Sequence, residues 1–128
     1  MLSLELAKKL KEAGLKWEQH ELDFYHWPYR GDLYQLMCFE IALFYCDDDE
    51  AYKTTKEHGI FAPRLDQLLT EINKKGRKYE LYSHPEFGKY HCITQRGGER
   101  RLFDADSPEE AAAKALVWIL EQEREGRA

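Results

Sequence analysis

The chain has 128 residues, one ordinary domain's length, and its 43% apolar and 34% charged content suits a folded core and argues against disorder. Its net charge of −5 is the opposite of what a small free-standing nucleic-acid binder carries. No apolar run approaches the roughly 20 residues of a membrane span, and Met1–Leu6 lacks the basic start of a secretory signal.

The first predicted helix runs from Leu4 to about Ala13. Leu6, Ala7, Leu10 and Ala13 recur at three and four residues, Ser3 is placed to cap the start, and Gly14 to take the left-handed position after the end. Residues 16–25 read as a strand with imperfect alternation. Trp27–Asp32 is a turn punctuated by Pro28 and Gly31. The apolar run Leu33–Cys46 is long for a strand and also fits a helix. Its β-formers favour extended structure, bent near Glu40, ending at the acidic run Asp47–Glu50. Residues 51–58 read as a polar connection or one helical turn.

A second helix spans Pro63 to about Lys75, with Pro63 at the first helical position, a stripe of Leu65, Leu68, Leu69 and Ile72, and Gly76 as its stop. Lys78–His84, Lys89–Gln95 and Arg100–Ala105 form a meander with turns at Pro85–Gly88 and Gly97–Gly98. Ser107-Pro108-Glu109-Glu110 is the strongest helix start in the chain, opening a helix to about Glu123. Its predicted core face is Ala112, Leu116, Ile119 and Leu120, with Ala111, Ala115 and Trp118 to one side.

The fold class is therefore α+β. Residues 6–18 and 68–80 match at a constant offset of 62: Leu6 with Leu68, Leu10 with Ile72, Gly14 with Gly76, Lys16 with Lys78, Trp17 with Tyr79 and Glu18 with Glu80. This reads as two αββ-type repeats, about 1–62 and 63–128, in one domain closed by the C-terminal helix. Any helix–glycine–strand corner shares part of this pattern.

The second half, α-β-β-β-α, resembles the double-stranded-RNA-binding domain over roughly Pro63–Leu120, through Tyr79-Glu80-Leu81, Lys89-Tyr90-His91 and the Ala-rich helix after Ser107. That family starts its last helix with lysines that straddle RNA phosphates. Glu109 and Glu110 stand there instead and repel phosphate, so double-stranded RNA is not expected as a ligand.

Residues 63–102 hold nine basic and five acidic residues, a net +4. The basic ones are Arg64, Lys74, Lys75, Arg77, Lys78, Lys89, Arg96, Arg100 and Arg101, interleaved with Tyr79, Tyr82, Phe87 and Tyr90. The surface built by Lys74, Lys75, Arg77, Lys78, Tyr82, Lys89, Tyr90, Arg96, Arg100 and Arg101 suits a protein partner, or a single-stranded nucleic acid by stacking and phosphate contact. A solvated strand face accounts for the same residues.

The run Asp47–Glu50 departs from the EF-hand pattern, with Tyr52 where Gly belongs. His84 and His91 fall close together on paired strands, but Cys92 must point to the opposite face from His91, so no zinc set forms. Cys38, Cys46 and Cys92 are odd in number and lie in apolar strands, as reduced cytoplasmic thiols do. No phosphate loop, nucleophile elbow or paired-carboxylate signature occurs, and no cofactor or metal is expected.

Leu4–Leu15, Pro63–Leu69, Ala105–Ala111 and Trp118–Glu121 are similar to stretches of small uncharacterised proteins encoded by phages and prophages of Firmicutes. That resemblance implies a bacterial cytoplasm and an accessory role. The expected function is a non-catalytic interaction protein that binds a host or phage protein, with no membrane association. A nucleic-acid-binding module using strands 74–101 is the alternative, and an enzyme or small-ligand binder with a site in the aromatic-rich first half is the third reading.

Overall fold

A computed structural model of the chain describes residues 2–16, 24–27, 32–35, 60–84, 86 and 89–126. Among them are three helices and two three-stranded antiparallel sheets, an α+β architecture.

Helix α1 spans Leu4–Ala13. Ser3 Oγ accepts the Leu6 N–H at 3.3 Å, filling one of the orphan donors of the first turn. At the other end Gly14 turns left-handed, with φ +107°. Leu15 N–H then donates to the Leu10 carbonyl and Gly14 N–H to that of Lys11, closing a Schellman motif. Helix α2, Leu65–Lys74, ends the same way: Gly76 is left-handed, Arg77 N–H donates to the Ile72 carbonyl and Gly76 N–H to that of Asn73.

The start of α2 corrects the sequence expectation. Pro63 is not the first helical residue but precedes the cap, buried as the chain enters from an extended segment. Arg64 is the cap, with ψ 164°, and the helix begins at Leu65. Arginine offers no capping oxygen. Instead Gln67 Oε1 reaches back to accept the Arg64 N–H at 2.8 Å, one half of a capping box.

Strand β1, Phe24–Trp27, pairs with β2, Asp32–Gln35, on one side and with β3, Ile60–Phe61, on the other. The remainder of the predicted strand 16–25, most of Leu33–Cys46 and the acidic run Asp47–Glu50 lie outside the described residues. Strands β4 (Lys78–His84), β5 (Lys89–Arg96) and β6 (Glu99–Ala105) form the predicted meander in the order β4-β5-β6, with unbroken register.

Helix α3, Pro108–Arg124, opens with Pro108 at its first position and Ser107 Oγ accepting the Glu110 N–H at 3.2 Å. Ala111, Ala112, Ala113, Ala115, Leu116 and Ile119 are all wholly buried. The expected apolar face is correct but too narrow: Ala111 and Ala115 are covered as well. The helix lies on β5 and β6 while α1 and α2 pack against its other sides. One apolar cluster runs from Leu2, Leu6 and Leu10 through Ile60, Leu68 and Ile72 to Cys92, Leu116 and Ile119, so both halves of the chain share it. Arg124 Nη1 donates to the Glu12 carbonyl at 3.1 Å and Lys75 pairs with Glu123 at 3.0 Å, drawing the C-terminal ends of the three helices together.

Two outcomes follow from this packing. A fragment of residues 63–128 leaves the α1 side of α3 bare and should melt without a sharp transition; calorimetry of the expressed fragment checks it, and a cooperative transition would show two separable halves. Ser107→Ala should lower the stability of the full chain by about 1 kcal/mol, read from the denaturation midpoint.

Candidate functional site

Register divides the side chains of sheet β4-β5-β6 between two faces, because cross-strand partners point the same way. One face carries Leu81, Cys92, Thr94, Ala105 and Phe103 toward the helices. The other carries Lys78, Glu80, Tyr82, His84, His91, Ile93, Gln95, Arg100, Leu102 and Asp104. No described element covers that second face.

The basic residues picked out by the sequence are not gathered into one patch. Lys74 and Lys75 sit at the end of α2, where Lys74 pairs with Glu71 at 3.2 Å and Lys75 with Glu123. Arg64 pairs with Asp66 at 3.3 Å. Lys89 pairs with Asp106 at 2.9 Å, a bond that raises the lysine's pKa and lowers the carboxyl's. Arg100 pairs with Glu80 at 3.1 Å and Arg101 with Glu99 at 3.6 Å. Such exposed pairs add little stability, yet they cancel the local positive field that phosphate binding needs. Lys78 and Arg96 are exposed on opposite faces of the sheet.

Arg77 is the largest departure. Only 4% of it is exposed, and its guanidinium lies 5.0 Å from the centre of the Trp118 ring. Arg101 approaches the same ring at 4.5 Å, and Phe103 lies 6.0 Å from it. Two cations against one indole hold α3 to the sheet through cation–π attraction. Arg77 Nε and Nη1 are buried with no hydrogen-bond partner among the described residues. Arg77 is therefore part of the interior and is removed from the candidate surface.

What the bare face does bring together is apolar and aromatic. Tyr82 is 42% exposed and Leu102 54%, and between them Ile93 is nearly covered. Tyr82 lies 5.6 Å from His91, ring centre to ring centre, and His84 meets His91 edge-on at 4.5 Å. His91 Nδ1 is buried without a hydrogen-bond partner among the described residues. Tyr90, half-buried opposite Ser83 and Ala105, belongs to the helix side. The signal that could have found this face is the pairing of Leu102 with Ile93, two apolar residues in strands otherwise polar on that side.

The histidines are close, as expected, and Cys92 points away from them into the core. Among the described residues no three His, Cys, Asp or Glu side chains are grouped to hold a metal. A cavity of about 470 Å³ lies between the end of α1, Phe61, α2 and α3, lined by Leu15, Leu68, Leu116 and Leu120. Of the charged groups at its rim, Lys74 and Glu71 pair with each other, so no polar constellation converges on it. No helix among the described residues is long and apolar enough to cross a membrane.

Burial pushes the Cys92 thiol up to about 11. At pH 8 about one molecule in a thousand then carries the thiolate that alkylating agents attack. Cys92 should stay unmodified by iodoacetamide in the native protein and react fully in denaturant, as mapped by peptide mass spectrometry. No family model matches the chain, and neither a curated protein nor a solved structure matches it.

Proposed function

We propose that this chain is a non-catalytic interaction protein, a phage or prophage accessory factor of the bacterial cytoplasm that binds a host or phage protein through the bare face of sheet β4-β5-β6. The observation that carries the reading is that face itself: Tyr82 and Leu102 exposed on either side of Ile93, flanked by the Glu80–Arg100 pair. An apolar centre with aromatic residues and a charged rim is the make-up of a protein-binding patch. The phage assignment rests on the sequence resemblance alone. The pairing of most basic residues weighs against phosphate binding, as do Glu109 and Glu110 in the first turn of α3.

The two halves are read as copies of one αββ-type unit. Supporting this, the Schellman motifs that end α1 and α2 use the same pair of backbone bonds at the 62-residue offset.

The test is co-purification from the natural host with the wild-type chain and with Tyr82→Lys as baits. One protein should be retained in fixed ratio by the wild type, lost with Tyr82→Lys, and kept by Lys9→Ala on the far side of the molecule. A gel shift completes it: weak binding to single-stranded RNA at about 50 mM salt should vanish by about 200 mM, with no duplex binding. Sub-micromolar duplex binding that survives the higher salt would overturn the reading.

A further inference from the structure

We propose that β6 is a self-pairing edge: two copies of the chain join antiparallel through β6, about a two-fold axis at Leu102, and merge their three-stranded sheets into one of six strands. This goes beyond the partner reading above, since its occupant is a second copy joined through the backbone of the strand's edge, although Leu102 and Arg100 also stand on the face of that reading.

Strand β6 hydrogen-bonds to β5 on one side, and no described strand lies on the other. Its residues Glu99–Phe103 also line an open surface pocket of about 520 Å³. Proteins blunt such edges with proline, bulges, a short strand or charged side chains, and of these β6 has only the charges, two of each sign. Here the strand is seven residues long, its register against β5 is continuous, it contains no proline, and Leu102 at its middle is 54% exposed.

The side chains complement themselves. Partners across an antiparallel ladder share a face, so a two-fold axis normal to the sheet must pass through a residue. Placed at Leu102, it sets Leu102 against its own copy and Arg100 against Asp104, twice, all on the bare face. Placed at Arg100 or Arg101, it opposes like charges. Placed at Phe103, it sets Leu102 against Asp104. The other edge without a described strand, β4, centred on Leu81, matches Lys78 with His84 and Glu80 with Tyr82, which gives no opposite charges.

The backbone agrees. The Asp104 carbonyl accepts a hydrogen bond from Lys114 Nζ at 3.0 Å, a side-chain donor from α3 and not a strand partner. By the alternation of the ladder, the outward amides and carbonyls then belong to Arg100, Leu102 and Asp104, the residues that self-pair. Lys114 holds one of the two lone pairs of that carbonyl in the single chain and crowds the approach of a second copy. Arg100 can keep Glu80 while also donating to Asp104 of the second copy, because a guanidinium has five donors.

Sedimentation velocity on the purified full chain, from micromolar to millimolar, tests this. The mass should rise from the 15.2 kDa of one chain toward twice that value. Asp104→Arg alone and Arg100→Asp alone each oppose like charges and should weaken association about tenfold or more, whereas the two mixed should form a heterodimer. Lys114→Ala should tighten association several-fold. Leu102→Lys, at an exposed position, should abolish it without moving the thermal midpoint. A wild-type chain that stays monomeric throughout, or a dimer indifferent to these charge changes, overturns the proposal. Either result leaves the co-purification test of the face unaffected.

Discussion

Among the described elements α1, α2, β5 and β6 are arranged around one helix that must be covered on several sides. Helix α3 buries Ala111, Ala112, Ala113 and Ala115 along with Leu116, Ile119 and Leu120. Alanine is the strongest helix former, so the segment holds its shape at little conformational cost. It also has almost no side chain, so neighbouring elements approach the backbone closely and dispersion contacts replace bulk. Helices α1 and α2 both pack on it, and residues far apart in the chain share one core cluster.

The covering has a consequence for charge. With the helix layer on one side of sheet β4-β5-β6, successive residues of each strand turn alternately toward the helices and away from them. Basic residues that look like a single stripe in the sequence are dealt to both faces and to a helix end. Burying Arg77 with Nε and Nη1 unpaired among the described residues is costly, and the face of Trp118 offsets part of that cost. Most of those cations serve the interior or pair with carboxylates, so the apolar and aromatic groups at the centre of the second face are Tyr82, Ile93, Leu102 and two histidines.

Local signals were legible and non-local ones were not. The Ser3 and Ser107 caps, the Gly14 and Gly76 stops and the three strands of the meander are written in residues a few positions apart, where backbone sterics decide alone. The start of α2 was misread because Pro63 suits the first turn, while the path out of β3 keeps Arg64 extended. Strand β3 is two residues long and has no alternation to detect. The Glu80–Arg100 pair spans two strand spacings, and the burial of Arg77 requires knowing that Trp118 lies above it. Both depend on register and layer order. The width of α3's buried surface was underestimated because alanine marks no face by itself.

Trp118 touches guanidiniums rooted at the start of β4 and within β6, the two outer strands of the sheet. A free three-stranded ribbon flexes about its middle strand, each neighbour rotating by roughly 20° relative to the next. Tying both margins to a single indole on a helix fixes that rotation, much as two stays hold a mast. A strand arriving at either margin meets a surface whose pitch is already set. The ordering cost of docking then falls on the newcomer alone.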